Sequence, residues 1–368
     1  MHTGLYIHIP FCKQKCLYCD FASFAGKTDL IDTYLSALAQ EAALVPHTPA
    51  QTLYVGGGTP SLLGISQLQQ LVQIITAHFG EVSRFEESTF EANPESLSRE
   101  KADFLRGAGF NRLSLGLQSF NDDELKRIGR VHSAADFLRA YGAARAAGFS
   151  NINVDLIAGL PAQSLANFSR SLLHLISLKP EHISVYGLQI EEGTPFFERG
   201  IVCDQVLMRT MLEFAHDELA RAGYMHYEIS NYALAGKESK HNTHYWHNGD
   251  YIGLGSAAAS YYGGVRRQNV ADVQEYISRI NAGQSAVAFE EKLTDQAKAG
   301  ECLMLGLRLL GGMELTAQQE SFFAREIEKH IRGGLLMRDG KKVKLTQEGL
   351  YLANEVFCSF VAPFDDEI

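Results

Sequence analysis

Leu5-Tyr6-Ile7-His8-Ile9-Pro10-Phe11-Cys12-Lys13-Gln14-Lys15-Cys16-Leu17-Tyr18-Cys19 is a strand-like apolar run that leads into a cysteine loop. The cysteines are spaced by three residues and then by two, so three thiolates reach one metal centre but cannot fill it. A closed iron–sulfur or zinc site takes four protein ligands. On a cubane, three cysteines leave one iron with an open coordination position, which invites a further molecule to bind. A zinc ribbon wants a second cysteine pair downstream, whereas Cys203, Cys302 and Cys358 are isolated and far apart. A disulfide framework is not expected in a long chain whose first residues lack a basic, cleavable leader. The spacing therefore predicts a cluster held by Cys12, Cys16 and Cys19.

The rest of the composition is that of an ordinary soluble globular protein. Of 368 residues, 46% are hydrophobic and 21% charged, and no apolar run is long enough to span a bilayer. A formal net charge of −10 argues against nucleic acid as the main partner. Unpaired cysteines point to a reducing compartment, so a cytoplasmic location is expected.

Short β-branched or aromatic runs alternate with helical patterns through the first half. Strands are expected at Leu5–Ile9, Thr52–Val55, Ser88–Ala92, Arg112–Leu117, Ile152–Ile157 and Ile183–Tyr186. Helices are expected near Asp29–Leu44, Ile65–His78, Arg99–Ala108, Ala134–Ala147 and Leu165–Leu178. This rhythm implies an α/β fold of parallel strands joined by right-handed crossovers, six units curling into a partial (β/α)6 TIM-like barrel. Gly57, Glu91, Gln118 and Asp155 are expected at or just past the carboxyl ends of their strands, the functional rim of such folds. The core is expected over residues 1–192. An aromatic and histidine-rich α+β extension follows over 193–290. A helix (Ala317–Arg332), a hairpin-like stretch (Met337–Leu345) and a final helix (Gln347–Phe360) outline a winged-helix-like module within 291–368.

Gly56-Gly57-Gly58-Thr59-Pro60 directly follows the second strand. Glycines there let backbone groups approach a ligand closely, but a tight βα turn explains them equally well. The string is neither a P-loop nor a dinucleotide fingerprint.

Together with the cysteines, this string resembles the radical S-adenosylmethionine (SAM) superfamily. The resemblance implies a [4Fe–4S] cluster whose open iron is chelated by SAM, and reductive cleavage of the sulfonium to a 5′-deoxyadenosyl radical. It narrows to the branch that contains oxygen-independent coproporphyrinogen dehydrogenase and the HemW-type haem chaperones. The strings Tyr6-Ile-His-Ile-Pro-Phe-Cys12, Tyr54-Val-Gly-Gly-Gly-Thr-Pro60, Glu91-Ala-Asn-Pro94, Leu115-Gly-Leu-Gln-Ser119 and Asp155-Leu-Ile-Ala-Gly-Leu-Pro161 all look like that branch. By this likeness Tyr6, Tyr18, Gly57, Gly58, Thr59, Glu91, Gln118, Arg130 and Asp155 would line the SAM site.

Within the branch, three features lean towards the chaperone. The dehydrogenase carries a further cysteine two places after the third, where this chain has Phe21. It also carries a long amino-terminal arm, and here Met1 stands one strand before Cys12. Finally, His241-Asn-Thr-His-Tyr-Trp246 matches the H-N-x-x-Y-W string of the HemW-type proteins. Imidazole is a common axial ligand to haem iron, and Tyr245 and Trp246 suit stacking on a porphyrin, so His241 is expected to bind haem. His8, His226 and His244 are its alternates. The resemblance implies haem as a third cofactor, apo-haemoproteins as recipients and a homodimer as a candidate assembly. Conversion of coproporphyrinogen III to protoporphyrinogen IX is the alternative activity.

Overall fold

The computed structural model describes residues 3–45 and 48–361. All six expected strands form: β1 (Thr3–Ile9), β2 (Ala50–Gly57), β3 (Glu87–Ala92), β4 (Arg112–Gln118), β5 (Ile152–Ala158) and β6 (His182–Gly187). They pair in chain order and every pairing is parallel. The intervening helices run over Ile31–Leu44, Ile65–Phe79, Arg99–Gly107, Ala134–Ala146 and Leu165–Ser177. Three of them start where a serine can cap. Ser98, Ser133 and Ser164 each accept a hydrogen bond from a backbone N–H in the first turn, and Asp136 completes a capping box with Ser133. Leu68, Leu71 and Ile75 bury one face of the second helix, in the same core as Leu53, Val55 and Leu113 of the sheet.

The barrel is not closed by β1 meeting β6. Each edge is extended, giving a twelve-stranded sheet. Beyond β6 lie Asn231–Ala233 and Met225–Glu228, both antiparallel. Beyond β1 a seventh parallel strand, Tyr251–Leu254, is added, followed by antiparallel Ala259–Tyr262, Val265–Asn269 and Val287–Lys292. The extension therefore shares the sheet of the core, and Val270, Tyr276 and Ile280 share its hydrophobic cluster. Residues after 295 build a second cluster around Leu303, Phe323, Val343, Val356 and Phe360. The helix expected over Gln347–Phe360 is broken. Leu352, with φ −111° and ψ 25°, separates Gln347–Tyr351 from Ala353–Phe357, and a 3₁₀ turn ends the segment.

Candidate functional site

A cavity of about 430 Å³ opens inside the curled sheet, with the cysteine loop on its wall. Cys12, Cys16, Cys19 and Tyr18 line it, as do Gly57, Gly58, Thr59, Glu91, Gln118, Arg130 and Asp155. The loop is tied down from both sides. Leu17 N donates to Ile128 O at 3.0 Å, Gln14 Nε2 to Gly129 O at 3.0 Å, and Phe196 N to Leu17 O at 3.0 Å. Thr59 Oγ1 donates to Cys12 Sγ at 3.5 Å, and Arg130 Nη1 to Cys16 Sγ at 3.7 Å. Both contacts aim a polar hydrogen at a sulfur and fix its position on the wall. Burial pushes the Cys19 thiol up, partly offset by the Phe21 backbone.

Gly58 faces the Cys12 thiol, and Gly57 the His8 ring. A Cβ on Gly58 would stand 2.8 Å from Phe11 O and 3.0 Å from Cys12 Sγ, and one on Gly57 (φ +118°) would stand 2.8 Å from the His8 ring. Only bare backbone fits there. Among the described residues, no three histidine, cysteine or acidic side chains converge tightly enough to hold a single metal ion. Three thiols on the wall of one cavity suit a multi-iron cluster with one open iron. The donor set fits a [4Fe–4S] group held by Cys12, Cys16 and Cys19.

Next to the glycines, Glu91 accepts hydrogen bonds from Tyr54 OH at 2.5 Å and from Gly57 N at 3.2 Å. Desolvation pushes its carboxyl up to about 7, against the pull of the Tyr54 hydroxyl. Arg130 is the hub of the opposite wall. Its Nη2 donates to Gly116 O at 2.7 Å and to Asn93 Oδ1 at 2.9 Å, and Asn93 Nδ2 donates to Thr59 Oγ1 at 3.0 Å. Gln118 ends β4 in the left-handed region at φ +68°, where the register with β5 shifts. Such a bulge re-aims a side chain, and the buried Gln118 Oε1 has no partner among the described residues.

Three expectations need correction. Asp155 is not at the end of its strand but in the middle of β5, because β5 continues to Ala158, which pairs with Gly187. It still reaches the cavity, where Asn153 Nδ2 donates to it at 2.8 Å and burial raises its carboxyl above the usual range. Tyr6 does not line the cavity. Its ring stacks near Tyr54 at 6.2 Å and its hydroxyl is 2.9 Å from His8 Nδ1.

His241 is the third correction. It is 1% exposed, with Nδ1 2.8 Å from Thr52 Oγ1 and Nε2 2.7 Å from Tyr245 OH. Both ring nitrogens are spent inside the protein, and burial lowers its pKa to about 3. Its helix, Lys240–Trp246, is pinned by the Glu87 carboxylate, which accepts from the N–H groups of Lys240 and His241 at 3.0 Å each. Thr52 and Glu87 lie at the amino-terminal ends of β2 and β3, so the string sits at the opposite end of the strands from the cysteines. His8, His226 and His244 are committed as well, through Ala22 O, Ile229 O and Asp250 O. His247, at the end of the same helix, is exposed.

Sequence reading passed over Asn93, Arg112, Ser114, Asn153, Ser184 and Asn242, all of which line the cavity. A signal was present for several of them. In Arg112-Leu-Ser114-Leu-Gly116-Leu-Gln118 and Asn153-Val-Asp155, polar or small residues alternate with apolar ones, the period of a strand whose polar face looks inward. Asn242 carried a different one, as the second residue of the H-N-x-x-Y-W string.

Residues 6–175 match the radical SAM superfamily model. The chain is 38% identical over 372 residues to the heme chaperone HemW of Bacillus subtilis, covering 97% of this chain and 98% of that protein. It is 36% identical to heme chaperone HemW of Lactococcus lactis, with 98% and 97% covered. It is 40% identical to that of Escherichia coli over 69% of each chain. Among solved structures, the coproporphyrinogen III oxidase HemN of Escherichia coli superposes with a TM-score of 0.86 over 98% of this chain and 90% of its own, at 24% identity. That likeness establishes a shared fold.

Proposed function

We propose that this chain, which belongs to the HemW family of haem chaperones within the radical SAM superfamily, binds haem and delivers it to apo-haemoproteins. The observation that carries the reading is identity of 36–38% across essentially the whole length of relatives named as haem chaperones. As a radical SAM protein the chain takes a [4Fe–4S] cluster and SAM.

We assign the cluster to Cys12, Cys16 and Cys19, and SAM to the wall formed by Gly57, Gly58, Thr59, Glu91, Gln118, Arg130 and Asp155. When bound, the pair supplies one-electron cleavage of a sulfonium. The protein's own contribution is to hold charge and exclude water. Arg130 places a fixed cation beside the Cys16 sulfur and the Asn93 carbonyl. Glu91 and Asp155 offer carboxyl groups to an ammonium or ribose hydroxyl, and Gln118 offers a free carbonyl. Phe21 is 66% exposed at the mouth. It stands where the dehydrogenase of the same branch has a cysteine, so no fourth thiol is available there.

Haem and recipient haemoproteins are the proposed partners. A homodimer is a candidate assembly, nucleic acid is not proposed, and the proposed compartment is the cytoplasm. No helix among the described residues is long and apolar enough to cross a membrane. The test is an anaerobic ultraviolet–visible titration of the reconstituted protein with haemin, before and after SAM. A saturable Soret shift is expected, followed by transfer to an apo-haemoprotein. Incubation with coproporphyrinogen III, SAM and reductant is expected to yield no protoporphyrinogen IX; appreciable product would overturn the chaperone reading in favour of the dehydrogenase.

A further inference from the structure

The largest fully buried side chain among the described residues is a cation, Arg112, at 2% exposure. It is the first residue of β4, four residues before the Gly116 carbonyl that holds Arg130, so it lies deep in the cavity rather than at the cysteine rim. At about 3.3 Å per residue its Cα is roughly 20 Å along the strand from Gln118. For a buried guanidinium it is poorly served. Its Nη1 donates one long hydrogen bond to Thr89 Oγ1, at 3.4 Å, and its Nε has no partner. None of the ion pairs among the described residues includes it. Buried charges are ordinarily paired, and breaking such a pair costs several kcal/mol, about 3–5. An unpaired one beside a cavity marks a place where an anion binds.

The surroundings narrow the anion. Ser114, Asn153, Ser184, Asn231 and Asn242 line the same cavity from four strands and the Lys240–Trp246 helix. Hydroxyl and amide groups beside one planar fork suit a carboxylate, which arginine grips with two parallel N–H bonds. Glu91 and Asp155 lie within reach of the Arg112 charge, but their hydrogen bonds come from Tyr54, Gly57 N and Asn153 and none comes from the guanidinium.

We infer that the base of the barrel is a carboxylate-binding subsite anchored by Arg112, which receives the acid group of an organic molecule entering past the cysteine loop. Haem offers that chemistry through its propionates, whereas SAM, as the resemblance to its superfamily implies, uses its own carboxylate on the open iron at the cysteine rim. The inference rests on the chaperone reading.

The test uses the full chain, reconstituted anaerobically, as wild type, Arg112→Gln and Arg112→Lys. SAM, haemin and haemin dimethyl ester, which lacks free carboxylates, are titrated into each. A charge-assisted hydrogen bond is worth about 1.5–3 kcal/mol, so an affinity change of about 10- to 100-fold is expected. If the carboxylate is a propionate, wild type prefers haemin to its ester by that factor, and Arg112→Gln abolishes the preference while SAM affinity holds. An Arg112→Gln variant that weakens SAM by that factor and leaves haemin unchanged would overturn the inference. Should the glutamine variant not fold, Arg112→Lys keeps the charge but loses the fork and is read by the same ratios. Unchanged affinities for all three ligands in a folded variant with a normal cluster spectrum would overturn the inference. A wild type that binds no haemin would sink the chaperone reading and this inference with it, whereas a wild type that binds haemin and its ester equally would overturn the inference alone.

Discussion

Arg130 Nη1 stands 3.7 Å from Cys16 Sγ while Nη2 of the same guanidinium holds Asn93 and the Gly116 carbonyl. One cation thereby fixes the cysteine loop against β4. Arg130→Ala is expected to weaken SAM binding by at least about tenfold, the value of a charge-assisted hydrogen bond, and to lower the iron retained after reconstitution. Isothermal titration with SAM and an iron assay on the same sample check both. Arg130→Lys is expected to recover less than half of the lost binding energy, because a compact ammonium cannot reproduce the planar fork that reaches His132, Cys16, Asn93 and Gly116 together.

Replacing Cys12, Cys16 or Cys19 with alanine is expected to abolish the charge-transfer absorbance of the reconstituted cluster. Cys203→Ala, Cys302→Ala and Cys358→Ala are expected to leave it intact, since none of the three lines the cavity. A cluster that survives loss of any one of the first three would refute the ligand assignment.

Glu91 sets a pH dependence. Its folded-state pKa, raised by desolvation to about 7 from 4.5, means that the native carboxyl holds its proton where the unfolded one has lost it. The stabilising effect is fully present below about pH 4.5 and is lost as pH rises through 7. At about 1.4 kcal/mol per unit, the loss is at most about 3 kcal/mol, an upper bound for a group that partly faces the cavity. Glu91→Gln should therefore unfold at a midpoint that varies less with pH between 5 and 8 than wild type, by chemical denaturation without SAM. Equal pH slopes would contradict the assignment.

His241→Ala is expected to act on stability. Removing the ring leaves Thr52 Oγ1 and Tyr245 OH without their partner, at about 1–3 kcal/mol for each unmade bond. The depressed pKa, about 3 through burial, makes the His241 contribution fall away as pH drops below about 6.5 towards 3. A lowered midpoint of unfolding with unchanged haemin affinity is the expected result. His247→Ala, at the exposed end of the same helix, is expected to leave the midpoint unchanged.

Much of this was written locally. Three cysteines within eight residues share a loop whatever the rest of the chain does, and the alternation of strand and helix period needs only neighbours to be read. Parallel crossovers have one favoured hand, so the partial barrel follows from that rhythm. The final helix was over-extended because Gln347–Phe360 keeps a helical pattern across Leu352, where the backbone turns out of the helical region.

What the sequence determined by itself is the cysteine loop, the six-strand core and the glycine wall, each set by short-range spacing. Beyond the strand-end residues, tertiary structure alone decided which end of the barrel a polar residue serves. His241 and Cys12 are far apart in the chain, and nothing local says that one lies against the amino-terminal strand ends and the other at the carboxyl rim. The same holds for Arg112. An arginine at the start of a strand reads as a surface cap until the sheet curls around it and removes both water and partner.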